Sequence, residues 1–393
     1  MNRTTLINKW CTRVLCVIVI LFVSQLSTFA NFSESLDKTI ENRILSLPSS
    51  VDLRYNNEVK KRIYQYTVSH TQHSKVILGR ISVYFPTFEN ILKEKGLPDD
   101  IKYLAAIESS LIPHATSRSG ASGLWQFMRP TARMMGLTIN RTIDERRDVE
   151  KSTYAAADYL LDLYRQFDDW TLAIAAYNCG PGNLRKAIRK SGGKTNYWDI
   201  QQYLPRETRE YVPKFIAMSY LMNYYYAHNI VPISPEEKII HTSKAQVFEK
   251  INLVALSKEL SLDFETVKLL NPVYLKNYIP NSKDGSHLLI LPTPEMRIVA
   301  EKYQIRANLP VIEVEEDIEE IVARAPINYV EKIPASILIG SNEKENAYQL
   351  SPIHTSYIRI ERKKKQVSQD QPSKDTSRRD KKFTYTLGKM ARD

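Results

Sequence analysis

One carboxylate stands apart in a setting suited to acid–base chemistry. In "AAIESSLIPHATSRSGASGLWQFM", residues 105–128, Glu108 follows an Ala/Ile/Leu run and precedes a turn rich in Ser and Gly. Burial disfavours the charged form of a carboxyl, so an apolar site keeps it protonated near neutral pH and able to give up a proton. Breaking a glycosidic bond needs such a donor at the leaving oxygen. Behind Glu108, Gly120 and Gly123 would let backbone approach a ligand closely. Trp125 offers a flat surface for a sugar or for the core, and Gln126 offers a neutral hydrogen-bonding amide. A second stretch, "AAYNCGPGN" at 175–183, sets Tyr177 and Asn178 at a helix end before a Gly-Pro-Gly turn. Each also has an ordinary reading: Glu108 as a solvated or capping acid, Trp125 and Tyr177 as core. A second carboxylate for hydrolysis would have to come from Asp144, Glu145 or Asp148. These stand beside Arg146 and Arg147 and read as an ion-paired cluster.

The elements that must position these groups are helical. Ile77, Ile81, Phe85, Phe88 and Leu92 fall near one face, with Pro86 expected to kink or end that helix. Gly96 reads as a stop and Pro98 as a fresh start, with Asp99 and Asp100 favourable to the new helix dipole. The following helix buries Ile101, Leu104, Ala105 and Ile107, placing Glu108 on or beside the buried face, and Pro113 closes the element. "STYAAADYLLDLYRQF", "DWTLAIAAYN" and "PKFIAMSYLMNYYYAH" continue the helical pattern, and no alternating strand stands out between residues 98 and 228. Past Pro232 the texture becomes extended. Residues 243–292 read as strand, two short helices and a closing strand, "HLLILP". From residue 293 an acidic stretch, "EVEEDIEE", and a basic tail, "RKKKQVSQDQPSKD", are too polar to bury a core and read as disordered.

The chain has 393 residues, 43% hydrophobic, with a formal charge of +11. The charge favours an anionic partner, but no zinc-finger, RNP or helix-turn-helix signature accompanies it, so nucleic acid is not expected. A cell-wall polymer or anionic membrane surface, touched through the basic tail, fits the charge as well. Lys9 and Arg13, the apolar run Val14 to Val23 and Ala30 have the layout of a secretory signal over residues 1–30, with a run too short to span a bilayer comfortably. Arg13-Val14-Leu15 lacks the small residue that lipidation at Cys16 would need. Cleavage after Ala30 leaves Cys179 alone, without an internal disulfide or a zinc site, and no metal or cofactor is expected.

The linked motifs "YFPTFENILKEKGLPDDIKYLAAIESS", "SRSGASGLWQFM", "DERRDVEKSTYAAADYL", "AAYNCGPGN" and "LPRETREYVPKFIA" resemble the catalytic domain of family 1 lytic transglycosylases. This is the soluble-lytic, goose-lysozyme-like group, and the likeness is strongest to the membrane-bound murein transglycosylase D type. The resemblance runs over about residues 76–226 and implies a mainly α, lysozyme-like catalytic domain over 76–230, after an N-terminal helical preface over 31–75. It implies Glu108 as the sole catalytic acid/base and Ser109 as its neighbour in the Glu-Ser pair. Gln126, Tyr177 and Asn178 would line a sugar cleft, and Tyr211 would lie near the acid. The partner so implied is the peptidoglycan glycan strand, cut at the MurNAc–GlcNAc bond with 1,6-anhydroMurNAc formation. Lysozyme-type hydrolysis and a non-catalytic wall-binding scaffold are the alternatives. Cys179 follows the Asn where Ala is common, and would make the cleft edge oxidation-sensitive. Residues 243–292 resemble a degenerate LysM module, a small α+β glycan binder, without its usual Gly-Asp-Thr-Leu opening.

Overall fold

A computed structural model of the protein describes residues 35–303 and 307–308. The expected signal segment over 1–30, the acidic stretch and the basic tail lie outside the described residues.

Helices dominate up to residue 228. Helix α1 covers 35–45, α2 Asn57–Tyr64, α3 Thr71–Lys95 and α4 Tyr103–Ser109. Then follow α5 Arg129–Met134, α6 Val149–Phe167, α7 Trp170–Cys179, α8 Pro181–Lys190, α9 Tyr197–Ile200 and α10 Arg206–Tyr224. The long α3 packs on α6, α6 on α7, and α10 on α2, α4 and α7. Their apolar faces meet in one core that includes Phe88, Ile101, Leu104, Trp125, Leu160, Ile174 and Phe215. Ile40, Ile44, Val59 and Ile63 belong to that same core. The boundary read at residue 75 falls inside α3, so 31–75 is no separate preface.

Three further sequence expectations are corrected. Pro86 does not end α3, which continues to Lys95 and closes on Gly96 at φ 74°. The carbonyl deprived of a donor is that of Ser82, an exposed residue, while Tyr84, Phe85, Phe88, Ile91 and Leu92 hold both sides of the proline in the core. Gly-Pro-Gly is a helix start as much as a turn: Gly180 caps α8 and Pro181 occupies its first position. In the last turns before Glu108, Ala106 is fully buried and Ile107 only half so.

Helix α11, Glu237–Ile240, leads into a small α+β unit: β1 Thr242–Val247, β2 Ile251–Asn252, α12 Leu253–Glu259, α13 Phe264–Leu270, β3 Tyr278–Ile279 and β4 His287–Pro292. β1 and β4 pair antiparallel, from Thr242 opposite Pro292 to Val247 opposite His287. Buried Asn271 joins the helices to the sheet, donating to Ile290 O (2.7 Å) and accepting from Ile290 N (2.9 Å). The unit does not stop at residue 292. Helix α14, Thr293–Tyr303, buries Met296 and Val299 against it, and β5, Ala307–Asn308, pairs with β1. Residues 293–303 are therefore not part of a tail. Among the described residues, no helix is long and apolar enough to cross a membrane.

Candidate active site

Glu108 sits in the last turn of α4, a seven-residue helix with Leu104, Ala105 and Ala106 buried. The helix ends in two left-handed residues that are not glycine, Ser110 (φ 53°) and Leu111 (φ 59°). Such a conformation is costly for a branched side chain unless the surroundings hold it. Here Leu111 is fully buried, and Arg80 of α3 donates to the Ser110 carbonyl at 2.8 Å.

The half-buried Glu108 carboxylate accepts a hydrogen bond from the Tyr211 hydroxyl of α10. Burial pushes the Glu108 carboxyl up to about 7, against the Tyr211 bond, which favours the charged form. Tyr211 is itself buried, at 3% exposure, and its phenol is held well above its ordinary range by burial and by Glu108. Pro213 helps to aim it. That proline frees the carbonyl of Arg209 inside α10, and Gln201 Nε2 (2.7 Å) and Tyr197 OH (3.0 Å) donate to it instead. Tyr211→Phe removes the bond that favours the carboxylate. The alkaline limb of kcat/KM should therefore move to higher pH, with activity lower by about tenfold from lost orientation. A pH–rate profile of the variant beside wild type checks this.

The loop over 115–127 wraps around one guanidinium. Arg146 donates to the carbonyls of Gly120 (2.7 Å) and Phe127 (2.9 Å). Its own carbonyl lies so close to Gly123 that an added Cβ would come within 1.7 Å, and Gly123 has φ 88°. Glycine is required there by both space and conformation. Gln126 is also left-handed, at φ 49°. Its amide donates to Gly123 O (2.8 Å) and Ala115 O (3.3 Å), and its Oε1 takes no bond from the described residues. Tyr177, half-buried, donates to Trp125 O at 2.7 Å and packs on Phe127 and Tyr159. Asn178 accepts from the hydroxyl of Thr208 (2.8 Å), a residue that sequence reading passed over inside "RETREY".

Trp125 is core: it is fully buried, packs on Phe88 with ring centroids 5.3 Å apart, and donates to Thr153 Oγ1 at 2.9 Å. Thr153→Val would leave the indole N–H without that acceptor and should lower stability by about 1–3 kcal/mol, read by urea melts. Ser109 turns its hydroxyl back to Ala105 O (3.0 Å) and not to Glu108.

Residues 86–200 match the family described as the transglycosylase SLT domain. The chain is 38% identical to the membrane-bound lytic murein transglycosylase D of Escherichia coli (strain K12) over 168 residues, 42% of this chain and 36% of that protein. It is 32% identical to the membrane-bound lytic murein transglycosylase F of Histophilus somni (strain 129Pt) over 184 residues, 43% of this chain and 35% of that protein. Among solved structures it matches the 70 kDa soluble lytic transglycosylase of Escherichia coli at 28% identity and a TM-score of 0.32, over 38% of this chain and 25% of that one. The chain thus spans about a third of the length of these curated relatives.

Asp144, Glu145 and Asp148 are occupied. Burial pushes Asp144 up, but the bonds and charge of Arg146 outweigh it and hold the carboxyl below its usual range. That pair is 2.7 Å apart, with both side chains 3% exposed. Glu145 pairs with Lys151 (2.6 Å), not with either arginine. Asp148 caps α6 through the amides of Glu150 and Lys151. Arg147 donates to the hydroxyls of Ser122 (3.2 Å) and Thr116 (3.1 Å) instead of to an acid. The Cys179 thiol is free and pushed up by burial, which keeps it protonated and less prone to oxidation than its place at a cleft edge implied. No group of three or more His, Cys, Asp or Glu among the described residues could hold a metal ion.

Proposed function

We propose that the SLT domain is a peptidoglycan lytic transglycosylase, a carbon–oxygen lyase with Glu108 as its single general acid/base. The observation that carries this reading is the half-buried Glu108 carboxyl, bonded by Tyr211 and pushed up to about 7. A group titrating there is present in both forms near neutral pH, so it can give a proton and take one back. In the first step Glu108 protonates the oxygen linking MurNAc to GlcNAc, the C1–O bond breaks, and GlcNAc leaves with that proton. The carboxylate then takes the proton of the muramic acid 6-hydroxyl as its oxygen bonds to C1. The product is 1,6-anhydroMurNAc, one water lighter than the hydrolytic product, and the enzyme ends as it began. An acetamido group of the substrate shares the positive charge between the two steps. Gln126, with its free Oε1, and Tyr177 and Asn178 are the residues proposed to hold the sugars.

Hydrolysis by a carboxylate pair would need a second acid across the bond. The occupation of Asp144 by Arg146, of Glu145 by Lys151 and of Asp148 by α6 amides speaks against these three. The layout of residues 1–30 and the murein transglycosylases matched by the SLT domain support action in the cell envelope after export. The test is mass spectrometry of muropeptides released from purified peptidoglycan. Products ending in 1,6-anhydroMurNAc are expected. Reducing-end MurNAc would make the protein a lysozyme, and an absence of products would leave a wall-binding scaffold.

A further inference from the structure

The segment 142–144 belongs by sequence to the SLT domain but packs into the C-terminal α+β unit. Ile143, 7% exposed, lies in that unit's core with Tyr274, Val267 and Leu289. It forms an antiparallel bridge with Tyr274, flanked by Asp144 N to Val273 O (2.9 Å) and Leu275 N to Thr142 O (2.7 Å). The strip 273–275 is itself fastened to β4, because the Tyr274 hydroxyl donates to Leu288 O (2.7 Å) and accepts from Leu288 N (3.1 Å). At the rim, Lys244 of β1 pairs with Glu150 of α6 at 2.8 Å. The half-exposed rim pair contributes little, whereas the bridge and the Ile143 anchor fix the backbone at Asp144.

What Asp144 holds makes this placement consequential. Its carboxylate takes two bonds from the Arg146 guanidinium, at 2.9 and 2.7 Å. Arg146 in turn holds the carbonyls of Gly120 and Phe127 and abuts Gly123. An unbroken line of bonds therefore runs from β4 through Tyr274, Asp144 and Arg146 to the loop that carries Gln126. We infer that the C-terminal unit is a clamp that positions the 115–127 loop of the active site, with Ile143 as its positioning residue. A wall-binding appendage on a tether would need no such ladder. The activity readout below rests on the transglycosylase reading; the exchange readout does not.

The experiment uses the full chain with Ile143→Asn, beside the conservative Ile143→Val. Amide hydrogen exchange is followed at Leu275 for docking and at Ser122 and Gly123 for the loop; kcat and KM are measured on a soluble glycan too short to reach the C-terminal unit. The clamp predicts that Ile143→Asn speeds exchange at all three amides by about tenfold or more. It also predicts that kcat falls by about tenfold or more while KM stays within about threefold, and that Ile143→Val restores both. Lost protection at Leu275 with unchanged loop exchange and unchanged kcat would overturn the inference. If Ile143→Asn does not fold, native-state exchange of the wild type decides: Asp144, Leu275, Ser122 and Gly123 should share one opening free energy. Docking amides that open while the loop amides stay protected would contradict it. If wild type shows no turnover, the transglycosylase reading fails and the exchange arm still stands.

Discussion

Glu108→Gln should lower turnover of peptidoglycan by about 10³-fold or more and leave a folded protein that is more stable than wild type at alkaline pH. The first effect follows because the amide cannot donate and recover the proton, and Asp144 and Glu145 are held in ion pairs. The second follows from the sign of the shift. Glu108 titrates near 4.5 when unfolded and is pushed up to about 7 in the fold, so the native state resists ionisation. Its favourable contribution is complete below pH 4.5 and is lost as pH rises through 7. A rise of that size corresponds to a loss of about 3 kcal/mol by pH 8, which Gln escapes while still accepting from Tyr211. Urea melts at pH 4.5 and pH 8 should show the gap between variant and wild type widening with pH. A gap that stays constant would mean that Glu108 is not held protonated by burial.

Arg146→Met should destabilise the fold by about 3–5 kcal/mol, the range for stripping one partner from a buried ion pair. The change strands Asp144 without its guanidinium and leaves the Gly120 and Phe127 carbonyls without their donor. Adding Asp144→Asn to that variant removes the stranded charge and should recover part of the loss. The two losses are then not additive, because the residues are in direct contact. Chemical denaturation of the four proteins in the cycle measures this coupling. Equal and additive losses would mean that the pair does not act as a unit.

The helical domain was legible because its apolar residues recur at helical spacing and its acids and glycines fall in a recognisable order. Glu108 beside Tyr211 was implied only by the resemblance to lytic transglycosylases, since the two lie 103 residues apart in the chain. What escaped reading depends on contacts that spacing does not carry. Pro86 stops an isolated helix, but in α3 its lost hydrogen bond falls on the exposed Ser82 while its neighbours anchor the core. Met296 and Val299 are only three residues apart, too short a pattern to separate α14 from the polar sequence that follows it. Arg146 reads as one charge in a charge run. Only the fold reveals that it is buried and that the 115–127 loop is built around it. Ser109 stands next to the acid in sequence, yet on a helix successive residues point about 100° apart, and its hydroxyl bonds within α4.

The most direct test of a single, burial-tuned acid is an NMR titration of the Glu108 side-chain carboxyl carbon in the full chain, assigned by its absence in Glu108→Gln. A midpoint near 7, matching the alkaline limb of kcat/KM, is the predicted result. A midpoint near 4.5, with the protein fully active at pH 6, would contradict it and require another proton donor.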